Sequence, residues 1–222
     1  MNEYISVFSR GMMLGSLVMI ISRIMDLTVS IKTYLSMKSN DIELYNQGLR
    51  ANIVNLMVLT PLFYSALITS FTRNSVYSIN EIYIFEVFWL TFIHNLLYYT
   101  FHRSMHQYVI LRDIHDFHHK FDRLMLPSVG NAVTKREFII SYVSPLFVGA
   151  YIIHPSEISL ICSIGSITIL NLIIHCKEME HLVWIPFFVS PKKHIEHHVV
   201  RTKHYSAPLL DFDEFLDPET YK

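Results

Sequence analysis

The sequence has few charged residues and few cysteines. Lys, Arg, Asp and Glu make up 17% of its 222 residues, and the formal net charge is −1 with neutral histidines. Nucleic-acid binding needs a clustered basic surface, so we expect no nucleic-acid partner. Two cysteines, Cys162 and Cys176, do not make a disulfide framework and favour a reducing compartment. No repeat, low-complexity tract or Gly/Ser linker divides the chain, which has the length of one domain.

What the sequence has in excess is histidine, with 13 residues in all. Eight of them form three spaced motifs, His-x-x-x-His once and His-x-x-His-His twice. These are His102 and His106; His115, His118 and His119; and His194, His197 and His198. Residues at i, i+3 and i+4 share one face of a helix, so each motif directs its imidazoles to one side. Neutral imidazole is the commonest metal ligand, and eight exceed the four of one tetrahedral site. The motifs therefore predict two metal ions.

Hydrophobic runs predict an all-α membrane protein with about four membrane-spanning helices in two hairpins. An uncharged run of 21 residues at 51–71 covers about 31 Å as a helix, close to the hydrocarbon thickness of a bilayer. The run 82–101 is the second candidate, with Glu86 near one end. The shorter runs 138–153 and 158–174 are separated by His-Pro-Ser-Glu, a turn signal that predicts a helical hairpin.

Residues 1–50 are predicted to be an amphipathic or membrane-associated segment, and residues 51–222 the domain that bears the histidine motifs. The mostly apolar, uncharged stretch 11–22 is too short to cross a bilayer straight through. An interfacial helix and a span extended past Arg23, over about 11–31, both stay open. A cleaved signal peptide is not expected, because a basic start and a small-residue cleavage pattern are missing.

Parity and charge place the histidine motifs on one side of the membrane. The first two follow the second predicted span and the third follows the fourth, so two crossings return the chain to the same side. Lys and Arg number six in 102–137, six in 175–222 and five in 1–50, whereas Arg73 alone falls on the other side if residues 1–50 do not cross. The positive-inside rule then predicts a cytosolic, histidine-rich helical cap. His175, at the end of the fourth span, adds a ninth imidazole from below.

The three motifs, in this order, resemble the fatty acid hydroxylase and sterol desaturase superfamily of membrane non-haem di-iron oxygenases. The resemblance covers about residues 85–215. It includes Trp-Ile-Pro-Phe-Phe at 184–188, which is similar to a Pro-Phe pair of sterol methyl oxidases. After the last motif, His-Tyr-Ser at 204–206 and Asp213 stand where the family has Asn-Tyr-Gly and a trailing Asp.

The resemblance implies a di-iron lipid oxidase. It implies nine metal ligands, namely His102, His106, His115, His118, His119, His175, His194, His197 and His198. Further ligands, or hydrogen-bond partners of the ligands, would be His181, His204 and Asn171. The cofactors implied are two iron ions, with zinc as an alternative occupant of purified material. Molecular oxygen would be the co-substrate.

The resemblance also implies the partners and the place of the reaction. C–H bonds of a membrane lipid, of sterol or fatty acyl type, would be hydroxylated or desaturated within the lipid bilayer. Electrons would come from NADH or NADPH through a separate b-type cytochrome and a reductase. In a eukaryotic cell the resemblance implies the endoplasmic reticulum membrane.

The sequence departs from the family at some positions, and other functions stay open. The family's Ala-His-Pro-x-Glu element reads Val-Thr-Lys-Arg-Glu at 133–137, and His204 replaces the usual Asn. A structural zinc site, a membrane metal-binding or transport protein and a catalytically inactive relative are the alternatives. A ferritin-like carboxylate site is excluded, because only 178–181 supplies a Glu-x-x-His pair. Acids near the motifs are candidate acceptors for the ligands' second ring nitrogen: Asp113, Asp116, Glu178, Glu180 and Glu196.

Overall fold

The structure is a computed structural model that describes residues 3–73, 82–122, 124–182 and 184–216. Within these ranges the chain forms α-helices and no β-strand. The helices are α1 (Glu3–Thr28), α2 (Ile31–Asn40), α3 (Ile42–Val54), α4 (Thr60–Phe71), α5 (Ile84–Gln107), α6 (Val109–His115), α7 (Lys135–Glu137), α8 (Ser144–Ile153), α9 (Glu157–Ile174), α10 (Pro191–Val200) and α11 (Phe212–Leu216). A π-helical turn, Asn55–Leu59, joins α3 to α4, and another, Phe138–Val143, joins α7 to α8.

Four helical segments are long and apolar enough to cross a membrane. They are Tyr4–Thr28, Ile42–Phe71, Lys135–Ile153 and Glu157–Ile174. The predicted all-α membrane fold is therefore confirmed, with four such helices among the described residues. The segment predicted as the second span, 82–101, is helical from Ile84 within α5, but α5 is not one of the four, and α1 is.

The helix α1 is longer than its uncharged stretch suggested because its charged residues have partners. The guanidinium of Arg10 lies 2.7 Å from the carboxylate of Glu157 in α9. Near the other end of α1, Arg23 lies 3.0 Å from Asp26 one turn along the helix. Pairing lowers the cost of placing such groups in or near the bilayer. Of the two readings left open for this segment, the extended helix is the one that forms.

The helix α5 lies against α8 and α9 and carries polar side chains on the face that it buries. Thr91, His94 and Asn95 are all buried. The side-chain hydroxyls of Thr91 and Ser163 in α9 are 2.9 Å apart. The lower apolar character of α5 thus comes from residues that face neighbouring helices.

The long helices run between two ends of the molecule. At one end, which we call the distal end, the amide of Arg73 donates to the carbonyl of Pro155 at 3.0 Å. The amide of Ser156 donates to the carboxylate of Glu86, also at 3.0 Å. At the opposite end, α5 finishes with His102 and His106, and α9 is followed by His175. We call this the histidine end.

The first helices pack on the loop that follows the second histidine motif. Asp26, at the end of α1, accepts hydrogen bonds from the amide and the hydroxyl of Ser128. The amide nitrogens of Asn52 and Asn55 donate to the carbonyls of Ser128 and Val133, at 2.8 and 2.9 Å. The segment Ile42–Phe71 is helical throughout, including residue 50, where the sequence division was placed. That division stays a prediction.

Candidate metal centre

Each histidine motif sits at a helix end or on a short helix at the histidine end. His102 and His106 occupy the last turns of α5, and His115 ends α6. A short 3₁₀ helix, His118–Lys120, carries the rest of the second motif. The third motif lies on α10, whose start is fixed by Pro191 and by Ser190, since the Ser190 hydroxyl accepts from the amide of Lys193.

The structure brings the nine predicted ligands together in two groups. Group A consists of His102, His106, His115, His119 and His197, and group B of His118, His175, His194 and His198. Within each group, the candidate ligand atoms all lie within 4.8 Å of one another. All nine side chains are buried except that of His106, which is partly buried.

In both His-x-x-His-His motifs, the first and last histidines enter one group and the middle histidine enters the other. In the second motif, His115 and His119 enter group A and His118 enters group B. In the third motif the assignment is reversed, because His194 and His198 enter group B and His197 enters group A. On a helix, positions i and i+4 lie nearly above one another while i+3 is displaced around the axis. One motif can therefore serve two neighbouring sites.

The Nε2 atoms of each group face one another at short range. In group A the separations are 2.8 Å for His102–His115, 2.9 Å for His115–His119, 3.0 Å for His102–His197, 3.1 Å for His106–His119 and 3.3 Å for His102–His106. In group B they are 2.9 Å for His175–His194 and 3.3 Å for His194–His198. Two nitrogens that bind one ion at about 2.0–2.1 Å are themselves about 3 Å apart at angles between 90° and tetrahedral.

The surroundings of the second ring nitrogen, Nδ1, show why the short contacts between Nε2 atoms are not ordinary hydrogen bonds. In six of the nine histidines, Nδ1 lies within hydrogen-bonding distance of a carbonyl or carboxylate oxygen. A carbonyl oxygen, or the oxygen of an ionised carboxylate, can only accept a hydrogen bond. The acceptors are the carbonyls of Tyr205 for His102, Ala132 for His118, His198 for His119, Asn171 for His175 and Lys203 for His197, and the carboxylate of Glu137 for His115.

A carbonyl acceptor assigns the proton to Nδ1 and leaves a lone pair on Nε2. The facing Nε2 atoms of His102 and His197 therefore have no proton to share. In group B, the buried Nε2 of His118 has no hydrogen-bond partner among the described residues. Lone pairs in such proximity repel, and a cation between them removes the repulsion. The residues present fit a metal ion in each group.

Burial also keeps these imidazoles in the neutral form that binds metals. It lowers the pKa of His175 to about 4 and that of His119 to about 3. For His118 and His198 burial lowers the pKa well below its ordinary value, and neighbouring histidines add to the effect. At neutral pH these histidines are therefore unprotonated, as metal coordination requires.

The candidates for additional ligands lie outside both groups. The side chain of His181 is exposed and contacts Glu180 at 3.0 Å. His204 is buried, but its Nε2 lies 3.3 Å from Glu196, and its φ of 61° is left-handed. Asn171 takes part through its carbonyl, which accepts from His175 at 2.7 Å. Of these three, Asn171 is the one that contacts a predicted ligand in this way.

Among the described residues, the acid that contacts one of the nine predicted ligands is Glu137, which sequence reasoning did not select. Its Oε1 lies 2.6 Å from Nδ1 of His115, within hydrogen-bonding distance, and both side chains are buried. Asp113 and Asp116, which did seem candidates, are exposed. A usable signal was present, since Glu137 holds the last position of the Ala-His-Pro-x-Glu element in the family that the motifs resemble.

A protein-family model described as fatty acid hydroxylase matches residues 87–217. The chain belongs to the fatty acid hydroxylase family. The match includes all nine histidines and begins after α1 to α4. Membership implies an oxidoreductase that acts on lipids, and the histidine groups are compatible with a metal site. Comparison with curated proteins and with solved structures gives no match.

Proposed function

We propose that this fatty acid hydroxylase family member is an oxygen-dependent lipid hydroxylase or desaturase with two iron ions, one in each histidine group. The observation that carries the proposal is the convergence of Nε2 lone pairs in two adjacent groups. Zinc would also bind imidazoles, but it has no redox chemistry. Removing hydrogen from an unactivated C–H bond needs a redox metal, so iron is the occupant that matches the family's activity.

The chain's own residues hold and orient the ligands. Group A would bind one iron through five histidines and group B the other through four. The bound irons would supply the redox chemistry for oxidation of the lipid by molecular oxygen. Acceptors such as Glu137 and the carbonyls of Tyr205 and Asn171 fix the ring orientation and the tautomer of the ligands. Burial excludes bulk water from group B, whereas His106 of group A is partly buried.

The position of the groups supports a lipid substrate and a cytosolic electron donor. Both groups lie at the histidine end, where α5 and α9 finish, and the apolar helices extend from there to the distal end. His106 and His115 line an opening in the cap together with Arg112 and Arg201. We place this end in the cytosol, at the endoplasmic reticulum membrane of a eukaryotic cell. A separate b-type cytochrome and its reductase would deliver electrons from NADH or NADPH there.

Metal analysis and lipidomics test the proposal together. We expect purified protein from iron-supplemented cells to contain about two iron ions per chain. Cells that express it should gain an oxidised lipid that cells expressing His118→Ala do not make. His181→Ala is the matched control, because His181 is exposed in the cap and lies outside both groups. An unaltered lipid profile together with metal-free protein would overturn the assignment.

The orientation is tested by labelling single cysteines with a membrane-impermeant maleimide. Position 181 represents the histidine end and position 85 the distal end. Both side chains are exposed, so a cysteine at either position is accessible to the reagent. We expect the cysteine at 181 to react from the cytosolic side. Reaction of position 181 from the opposite side would refute a cytosolic cap.

Metal transport is the rival function, and the location of the histidines argues against it. Transport sites lie near the bilayer midplane, between broken helices, whereas the two groups here lie at the ends of α5 and α9. Iron or zinc flux into proteoliposomes, measured beside lipid oxidation, separates the two functions. A catalytically inactive relative would retain the metals and give neither flux nor product.

A further inference from the structure

A cavity lies between the long helices, away from the histidine groups. Its wall includes Leu14 of α1, Tyr64 of α4, His94 of α5, Leu146 of α8 and Ile164 of α9. It offers about 120 Å³ for the centres of water-sized atoms, whereas one water needs about 10–15 Å³. The cavity is thus much larger than a packing defect filled by a single water.

The cavity continues toward the histidine end. A second cavity shares six wall residues with it, namely Val18, Leu56, Phe138, Tyr142, Ile167 and Thr168. The second cavity is also lined by Val133 and Asn171. Val133 follows Ala132, whose carbonyl faces His118, and the carbonyl of Asn171 accepts from His175. The joined space therefore extends from the interior of the helix bundle to the residues that support group B.

Two π-helical turns border this space from different helices. Leu56 belongs to the turn Asn55–Leu59, and Phe138 and Tyr142 belong to the turn Phe138–Val143. A π-helical turn widens a helix and redirects its side chains, and such turns are frequent at functional sites.

A hydroxyl residue followed by proline stabilises each π-helical turn. Proline lacks the amide that would continue the helical hydrogen bonds. The Thr60 hydroxyl, before Pro61, donates to the carbonyl of Asn55 at 2.9 Å. The Ser144 hydroxyl, before Pro145, donates to the carbonyl of Ile140 at 2.6 Å. The widened turns are therefore built features of both helices.

Two side chains of the cavity wall, His94 and Tyr142, each have a buried polar atom without a hydrogen-bond partner among the described residues. Tyr142 lines both cavities, and of the two the residue that lines the first cavity alone is His94. Its side chain is 1% exposed, and its Nδ1 has no hydrogen-bond partner within the described part of the chain. Leaving a buried polar atom unpaired costs about 1–3 kcal/mol. The Tyr64 hydroxyl, which is also in the cavity wall, donates to Glu157 at 2.5 Å.

The second cavity, which we call the upper cavity, is different, because bound water can hydrogen-bond to its unpaired polar atom. Asn55 Oδ1 is also buried without a partner among the described residues. However, Asn52, Asn131 and Asn171 line the same upper cavity. A bound water needs two to four polar neighbours, and this region supplies them. The unpaired atoms left for a ligand in the first cavity are therefore Nδ1 of His94 and the hydroxyl of Tyr142.

We propose that this intramembrane cavity binds an uncharged lipid alcohol, whose hydroxyl hydrogen-bonds to His94 and whose apolar body extends toward group B. The wall of both cavities contains no charged side chain among the described residues. A carboxylate or phosphate buried there would lack a counter-charge, which is costly. A hydroxyl suits a neutral imidazole, which can donate or accept.

The proposal has a regiochemical consequence that rests on the proposed function. His94 precedes His102 by two helical turns, or about 12 Å along α5. The hydroxyl therefore lies deep in the bundle, and carbons remote from it lie nearest to the histidine groups. The oxidised carbon would be far from the lipid's own hydroxyl.

Photolabelling of the full-length protein in proteoliposomes tests the site. The probes are diazirine derivatives of oleyl alcohol and cholesterol, and diazirine-bearing oleate represents the charged lipids. We expect at least one alcohol probe to label residues of α1 and of both π-helical turns. Unlabelled alcohol should compete, and oleate should not. Labelling of the cavity by oleate alone, or labelling confined to lipid-facing residues, would overturn the proposal.

Variants of α5 identify the hydrogen bond. His94→Leu should reduce cavity labelling about tenfold, the effect of losing one buried hydrogen bond, and His94→Gln should restore part of it. Thr100→Leu is the matched control, because Thr100 is exposed on the same helix. Equal labelling of the wild type and a folded His94→Leu variant would contradict the proposal. If His94→Leu does not fold, the competition between alcohol and oleate in the wild type decides.

Metal content measured on the same samples keeps this proposal separate from the proposed function. Two bound irons without cavity labelling would reject the alcohol site and leave the function standing. Cavity labelling that depends on His94 in metal-free protein would support the site and count against the di-iron function.

Discussion

Glu137 and His115 share a hydrogen bond, with Oε1 2.6 Å from Nδ1, and both side chains are buried. Among the described residues, this is the contact between an acidic side chain and a predicted ligand of group A. A carboxylate on the second nitrogen fixes the tautomer of the imidazole and raises its basicity. Glu137 would therefore support the proposed metal centre without touching the metal.

The first prediction concerns this carboxylate. Glu137→Ala should lower the metal affinity of the protein about 10–100-fold, because the His115 ring loses its fixed orientation. Glu137→Gln should lose less, since its amide oxygen can still accept from Nδ1. Competition with a chelator measures both. Asp116→Ala is the matched control, because Asp116 is an exposed acid beside the same motif. Equal losses in Glu137→Ala and Asp116→Ala would contradict the role of Glu137.

The second prediction separates the two groups. His118 and His119 are neighbours in the chain, yet His118 enters group B and His119 enters group A. We expect His118→Ala and His119→Ala each to reduce the metal content from about two ions to about one, and each to abolish turnover. Metal analysis of purified protein and product analysis provide the measurements. Full metal content and activity in either variant would exclude that residue from the ligands.

Eight of the nine histidines could be predicted to converge because their spacing is local. Positions i, i+3 and i+4 share a helix face, so the motifs alone indicate side chains that converge. The spacing did not exclude His181, which lies six residues after His175 and is nevertheless exposed. Between them the chain leaves α9 and forms the short 3₁₀ helix Lys177–Met179, which breaks the periodicity.

Contacts between distant parts of the chain could not be predicted in this way. Glu137 lies 22 residues after His115, and hydrophobic patterning does not specify which acid folds back on a motif. The extent of α1 stayed open for a similar reason. Arg10 borders the uncharged stretch 11–22, and its partner Glu157 lies 147 residues away. Apolar runs identify helices by composition, whereas the pairing of their charged residues depends on the tertiary structure.

The third prediction tests the contact between α1 and the loop after the second motif. Asp26 is fully buried and accepts from the amide and the hydroxyl of Ser128. Asp26→Ala should lower the free energy of unfolding by about 1.5–3 kcal/mol, the usual value of hydrogen bonds to a charged group. Denaturation of the purified protein in detergent gives the measurement. Asp41→Ala, at an exposed acid without a capping hydrogen bond, should change stability by less than about 0.5 kcal/mol.

An unchanged stability in Asp26→Ala would mean that α1 packs on this loop without depending on the carboxylate. The result also bears on the predicted division at residue 50. A decrease in metal affinity that accompanies the loss of stability would indicate that residues before the family match support the ligand loop. A loss of stability with normal metal affinity would limit the role of Asp26 to folding.

The fourth prediction compares two glycines in apolar helices. A Cβ on Gly15 of α1 would overlap the carbonyl oxygen of Leu56 in the π-helical turn, whereas a Cβ on Gly165 of α9 would meet nothing within 4 Å. Gly15→Ala should therefore destabilise the protein by about 1–3 kcal/mol through overpacking. Gly165→Ala should stabilise it by about 0.5–1 kcal/mol, because alanine favours the helix. Opposite shifts of the thermal midpoint in detergent are the expected result. Stabilisation by both substitutions would show that α1 can move away from the π-helical turn at little cost, and the cavity beside Leu56 would then be wider than described.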